Sequence, residues 1–525
     1  MTQSSIKDAH EAPPPLIAAW LIAAGPALAV TPPAGADHKL PPGIAWQQGD
    51  VDAAFALAKS SNKPLFLYWG AVWCPPCNQV KATLFNRQDF IDRTRQFIPV
   101  YLDGDSPGAQ KLGAQFKVRG YPTMILFKPD GTEITRLPGE VDGERYLSTL
   151  ELGLTAARPV KALLAAALKG DKLALGDWQL LADYSWDTDQ AQLVPEDKLA
   201  ATLLQLARAV PAGNEALAAR LQLKALAAAA TADKAPALDK PAAQAALAKV
   251  LGNPKLARDN FDVLVNYAGD IAGFVSESGP ARDALVKAWD QALQRLAIDA
   301  TLSTNDRLGA VTAQIALARL GKPEGALSEP LLKTVRAAVA DADKRTTNGY
   351  ERQSVISTAG YTLAQAGLLE ESDKLLQAEL KRSHSPYYFM LALASNAKQR
   401  GDKAAAVDWY EKAYASSEGP ATRLQWGTTY VSGAVELAPQ DEARIEKAAS
   451  SVIGELAGTQ NAFYERNRRS LEKLVAKLQG WNKDKKHDAA VKRVLGQLSG
   501  ICGKLPAKDP QKPVCEGLVK PGKAA

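Results

Sequence analysis

Between residues 45 and 157 short apolar runs alternate with amphipathic stretches, and beyond that point the alternation stops. Leu65-Phe66-Leu67-Tyr68-Trp69, Phe97-Ile98-Pro99-Val100-Tyr101-Leu102 and Met124-Ile125-Leu126-Phe127 are continuous runs of strand length. Lys128-Pro129-Asp130-Gly131 is a tight-turn signal joining the third run to a fourth strand over Glu133 to Leu137. Helical spacing of apolar residues predicts helices over Val51 to Ser60, Gln79 to Phe85, Asp89 to Thr94, Ala109 to Phe116 and Glu144 to Leu154. The order describes a small α/β domain with helices on both faces of a mixed sheet.

From Val160 the chain turns rich in Ala and Leu, strand signals cease, and helical periodicity persists to about Gln497. Pro211-Ala212-Gly213, Gly252-Asn253-Pro254, Gly321-Lys322-Pro323 and Gly419-Pro420 mark interhelix turns. Gly367 and Gly401 lie 34 residues apart, the period of tetratricopeptide units. Near Gly401, Leu393, Ala397, Ala406, Tyr410 and Ala413 sit where an interlocking helical hairpin needs small and aromatic residues. Residues 158–500 therefore read as an all-helical region containing two or three tetratricopeptide-like units, the alternative being a plain bundle with a chance spacing. Either form offers a concave surface to a polypeptide.

A length of 525 residues implies more than one domain, and 46% hydrophobic with 23% charged residues is the balance of an ordinary globular protein. The net charge of +6 comes from 63 basic and 57 acidic residues spread along the chain, so no basic stripe for nucleic acid is expected. Leu16 to Val30 is apolar and Ala-rich, with small-x-small sites at Ala27-Leu28-Ala29 and Ala34-Gly35-Ala36. Residues 1–36 thus read as a signal peptide and linker. The stretch is short for a membrane span and is broken at Gly25-Pro26, so an exported or periplasmic product without a stable span is expected.

Candidate chemistry centres on Trp73-Cys74-Pro75-Pro76-Cys77, directly after the first strand. A strand turning into a helix there puts Cys74 at the helix N-terminus, where free N–H groups and the macrodipole stabilise a thiolate. Cys74 is the expected nucleophile and Cys77, deeper in the first turn, the resolving thiol. Pro75 and Pro76 suit the first turn, stiffen the loop and remove two donors that could bond the thiolate, leaving the Cys77 N–H. The alternatives are an inert staple or half of a zinc site; Cys502 and Cys515 lack short-knuckle spacing, so no metal is expected. They are expected instead to pair as a structural disulfide stapling a polar loop after the last helix, in a tail over residues 501–525, the alternative being a second redox centre.

The WCPPC motif after an apolar strand, with Tyr121-Pro122-Thr123 before a second strand and the Pro129-Asp130-Gly131 turn, resembles the thioredoxin family over about residues 45–157. The resemblance implies a thioredoxin fold with Pro122 cis against the cysteine loop. It also implies substrate positioning by Trp73, Pro75, Pro76, Tyr121, Pro122 and Thr123. Tyr68 stands where cytosolic thioredoxins carry a buried acid, six residues before the first cysteine, which makes the domain more similar to periplasmic thioredoxin-like proteins and the C-terminal domain of the DsbD family.

A thiol-disulfide oxidoreductase acting on protein disulfides in the cell envelope is therefore expected, reductase rather than oxidase. It would need no cofactor, take protein thiol or disulfide substrates, and be recharged by an upstream redox partner. The rival is a redox-inactive helical-repeat scaffold with a thioredoxin-like docking domain. Tyr387, Tyr388, Trp409, Trp426 and Tyr430 are expected in the core rather than lining a peptide groove, and His384 and His487 are expected to be solvated.

Overall fold

A computed structural model of the chain describes residues 40–139, 143–234, 236–322 and 325–520. The expected signal peptide lies outside the described residues. Among the described residues five strands form one mixed sheet in the order β1-β3-β2-β4-β5: β1 Gln47–Gln48, β2 Leu65–Gly70, β3 Ile98–Asp103, β4 Thr123–Phe127 and β5 Glu133–Leu137. β2 runs parallel to β3 and antiparallel to β4, with Tyr68 opposite Tyr101 and Met124. The helices are α1 Val51–Ser61, α2 Pro75–Thr83, α3 Gln88–Arg93, α4 Ala109–Phe116 and α5 Gly143–Leu154.

The central strands are apolar without interruption because both sheet faces are covered. Leu65, Leu67, Trp69, Ile125 and Phe127 meet α1 and α4 on one face. Phe66, Tyr68, Met124 and Leu126 meet Val80 of α2, Phe90 of α3 and Leu150 of α5 on the other. Asp50 caps α1 by accepting the Ala53 N–H, and Asn62 ends it in the left-handed region.

From Val160 to Val519 every regular element among the described residues is helical, and no described helix is long and apolar enough to cross a membrane. The first part of this region is tied to the sheet edge: buried Arg136 of β5 donates to the Thr188 carbonyl at 3.0 Å and accepts from the Ser185 N–H at 3.1 Å. The C-terminal part wraps back. Trp426, Tyr430 and Leu471 belong to the same apolar cluster as Phe66, Cys77 and Val80, and the helix Gly349–Gln365 packs on α2. Gly367 and Gly401 each follow a helix end with φ of 81°, a left-handed turn that glycine adopts without strain.

Three expectations change. Cys502 is not in a loop: it ends a row with Val494 and Leu498 on the helix Asp488–Lys504, all buried, and Cys515 lies on the helix Gln511–Val519. Cysteine acts there as an apolar residue continuing the four-residue spacing past Gln497. His487 is not solvated; it is half-buried, stacked on Trp481 at 3.8 Å and 2.6 Å from a Glu442 oxygen. His384 is half-buried against the cysteine loop, as described next.

Candidate active site

Cys74 is the N-cap of α2, with Pro75 and Pro76 in the first two helical positions. Its Sγ accepts the Cys77 N–H at 3.2 Å, the one donor that the prolines leave close by. The pair is disulfide-bonded, Cα to Cα 5.2 Å. Asn78, fully buried, fixes the loop by donating to the carbonyls of Val72 (2.7 Å) and Cys74 (2.9 Å). The Tyr121–Pro122 peptide is cis, Pro122 is buried, Thr123 Oγ1 donates to the Gly120 carbonyl at 2.9 Å, and the Tyr121 ring meets Trp73 edge-on at 6.2 Å. The structure thus brings Trp73 and Tyr121 together beside the cysteine loop. Tyr101 stacks on Tyr68 at 5.3 Å.

Tyr68 donates to the Cys77 carbonyl at 3.4 Å. Burial, with the Asp103 charge adding to it, drives its hydroxyl far above the ordinary phenol range, so Tyr68 stays protonated and is no base.

Lys81, one helical turn after Cys77, was not anticipated from sequence. It is 1% exposed, and burial lowers its ammonium to about 8 against the pull of Asp103. Its Nζ lies 5.5 Å from the ring centres of both Tyr101 and Tyr350. The available signal was its place on the apolar side of α2.

Equally unforeseen is what lies over the site. Trp73 Nε1 donates to Thr422 Oγ1 at 2.8 Å. Thr422 in turn donates from its N–H to Asp105 Oδ1 at 2.8 Å and from its hydroxyl to Asp105 Oδ2. The Trp73 ring stacks on Tyr388 at 5.9 Å and meets Trp426 edge-on at 4.7 Å. Gln353 Nε2 donates to the Trp73 carbonyl at 3.4 Å, and His384 Nε2, necessarily the donor to a carbonyl, lies 3.2 Å from the Val72 oxygen. Trp426, Tyr430 and Tyr387 are core residues, as expected, while Tyr388 and Trp409 are half-buried.

Burial raises the Asp105 carboxyl to about 6, Asp103 adds to the rise, and the Thr422 hydrogen bonds oppose it. A carboxyl held above its free value of 3.8 takes up its proton more readily while the helices are docked. Protonation therefore stabilises the docked chain as pH falls through about 6 toward 4, and ionisation weakens docking above that window. Urea unfolding should show wild type gaining stability relative to Asp105→Asn from about pH 7 to about pH 4; the opposite slope contradicts this assignment.

Residues 51–153 match the family described as thioredoxin-like domain. A thioredoxin of Mycobacterium bovis is 36% identical over 90 residues, covering 17% of this chain and 73% of that protein. The thiol:disulfide interchange protein DsbD 1 of Pseudomonas aeruginosa is 30% identical over 123 residues, covering 21% of this chain and 20% of that protein. The chain thus spans about a fifth of the DsbD relatives it matches. A solved DsbH oxidoreductase covers 25% of this chain and 96% of its own at 20% identity and a TM-score of 0.20. The bonded Cys74–Cys77 pair and the sequence relatives together support thiol-disulfide exchange.

Proposed function

Because the chain belongs to the thioredoxin family, we propose that it is a protein disulfide reductase of the cell envelope, with Cys74 as nucleophile and Cys77 as resolving thiol. The observation that carries the reading is Cys74 at the α2 N-cap with its sulfur on the Cys77 N–H. The Cys74 thiolate attacks one sulfur of a client disulfide, and the other client sulfur leaves as thiolate and takes a proton from solvent. Cys77, once deprotonated, attacks Cys74 Sγ and releases the second client thiolate. The client has gained two electrons, Cys74–Cys77 is oxidised, and an upstream dithiol partner restores it.

The surroundings of Cys74 Sγ support the reducing direction. With prolines at the first two helical positions, a single nearby N–H stabilises the thiolate. A weakly stabilised thiolate gives a more reducing pair. Trp73, Pro75, Pro76, Tyr121, Pro122 and Thr123 shape the place of the client backbone, and the helical region, read as partly tetratricopeptide-like, selects the client. The N-terminal apolar stretch and small-x-small sites support export.

Cys502 and Cys515, 1% and 0% exposed and bonded to each other, serve as a structural staple. The test is reduction of a protein disulfide such as insulin's by the full chain, with a dithiol as electron source. Wild type and the Cys502→Ser, Cys515→Ser double variant are expected to reduce it at one rate. The double variant is expected to lose about 3 kcal/mol of stability in urea. An insulin rate no faster than dithiol alone, for wild type and equally for Thr422→Val, which lacks the hydroxyl that Trp73 and Asp105 hold, removes the reductase reading, and a redox-inactive scaffold takes its place.

A further inference from the structure

A client disulfide has to reach Cys74, yet Cys74 is 2% exposed and Trp73 beside it 6%. The polar cover comes from residues 280 to 349 positions further along the chain: Gln353, His384 and Thr422. Thr422 spends its hydrogen-bonding groups on this contact. Its N–H and hydroxyl donate to Asp105, and its hydroxyl oxygen accepts the Trp73 indole N–H. The approach is too close for any side chain at Gly419, which has a φ of 86° and where a Cβ would lie 2.3 Å from Asp105 Cγ. Arg466 closes the other side, its guanidinium 4.5 Å from the Tyr121 ring centre and 6.0 Å from that of Trp73, with Nη1 donating to the Arg119 carbonyl at 2.8 Å.

We propose that the helical region holds the redox site closed, and that the Thr422 bridge between Asp105 and Trp73 is the latch that a client must release. This rests on the exchange chemistry proposed above. Behind Trp73 the seam is apolar and continuous with the core of the redox domain, but at the site itself it can open locally. Next to Trp73 it consists of hydrogen bonds, ring contacts and a small cleft lined by Trp73, Asp105, Tyr121, Thr422, Gln425 and Arg466, groups that water or a polar client backbone can satisfy in turn. The early helices remain fixed to β5 through Arg136 and Thr188, so release of the helix Pro420–Leu437 need not detach the whole region. In the closed state the cover denies Cys74 to folded bystanders, which gives the reductase a client filter without a second active site.

The test is the alkylation rate of Cys74 in dithiol-reduced full chain, with iodoacetamide and with a maleimide-conjugated polyethylene glycol, read by peptide mass. Thr422→Val keeps the side-chain volume and removes the hydroxyl; it is expected to speed alkylation about tenfold, the scale of losing hydrogen bonds to a charged group. Gly419→Ala, whose Cβ overlaps the Asp105 carboxylate and forces it or the helix to move out of the bridge, is expected to do the same, while Thr422→Ser, which keeps the hydroxyl, stays near the wild-type rate. Circular dichroism matching wild type shows that a variant is folded. The latch is overturned if folded Thr422→Val and Gly419→Ala alkylate at the wild-type rate, or if wild type already reacts as fast as urea-unfolded chain. Alkylation needs no exchange, so faster labelling of Thr422→Val without insulin reduction by that same opened variant leaves the latch standing and removes only the reductase reading.

Discussion

Cys74→Ser is expected to lower protein disulfide reduction by at least about 10³-fold, the scale of losing a covalent nucleophile. Cys77→Ser is expected instead to accumulate the client as a mixed disulfide on Cys74. Exposure does not separate the two thiols, since they are 2% and 0% exposed in the closed chain. Position does. Cys74 caps α2, its sulfur lies at the positive end of the helix dipole, and it accepts the Cys77 N–H. Cys77 lies inside the first turn, its carbonyl bonded by Tyr68, and can reach Cys74 but no incoming chain. Non-reducing gels of exporting cells carrying each variant check the pair of outcomes. Adducts on the Cys74→Ser protein and none on the Cys77→Ser protein would reverse the two roles.

Trp426→Ala should carry the largest stability loss at the seam. Trp426 is 1% exposed, lies 4.7 Å from Trp73 and 5.5 Å from Tyr387, and donates its indole N–H to the Tyr387 carbonyl at 3.2 Å. Removing a buried indole costs about 3–5 kcal/mol. Because the lost ring touches Trp73 directly, the expected result couples two readouts, a lower urea midpoint and faster labelling of Cys74. Trp426→Phe, which keeps an aromatic ring and gives up the N–H bond, is expected to lose less in both. An alanine variant with wild-type stability would mean that this helix is not seated on the redox domain.

Local signals carried the redox domain into view. The runs at Leu65, Ile98 and Met124 are continuous because helices cover both sheet faces, and WCPPC with Tyr121-Pro122-Thr123 places the chemistry at one strand-to-helix turn. β1 escaped notice because a two-residue strand has no period. Gly503-Lys504-Leu505-Pro506 after Cys502 carries a loop signal, while the burial of Cys502 in line with Val494 and Leu498 shows a helical stripe with cysteine as the last apolar member.

The cover over the site had no signal at all in sequence. Thr422 is an ordinary helix threonine until Asp105 and Trp73, 317 and 349 positions away, are set beside it. His384 likewise stands among Ser and Arg in sequence and meets the Val72 carbonyl only through the fold. Lys81 differs in that its place on the apolar side of α2, one turn after Cys77, was a signal; Tyr350, from a distant helix, lies over it as well.

The central claim is that Cys74 and Cys77 form an exchanging, reducing pair, and the most direct measurement is its equilibrium reduction potential in the full chain against glutathione and dithiol buffers. A value near about −270 mV is predicted, the range of thioredoxin. A value near about −120 mV would make the protein an oxidant, and a pair that exchanges at no poise would contradict the account outright.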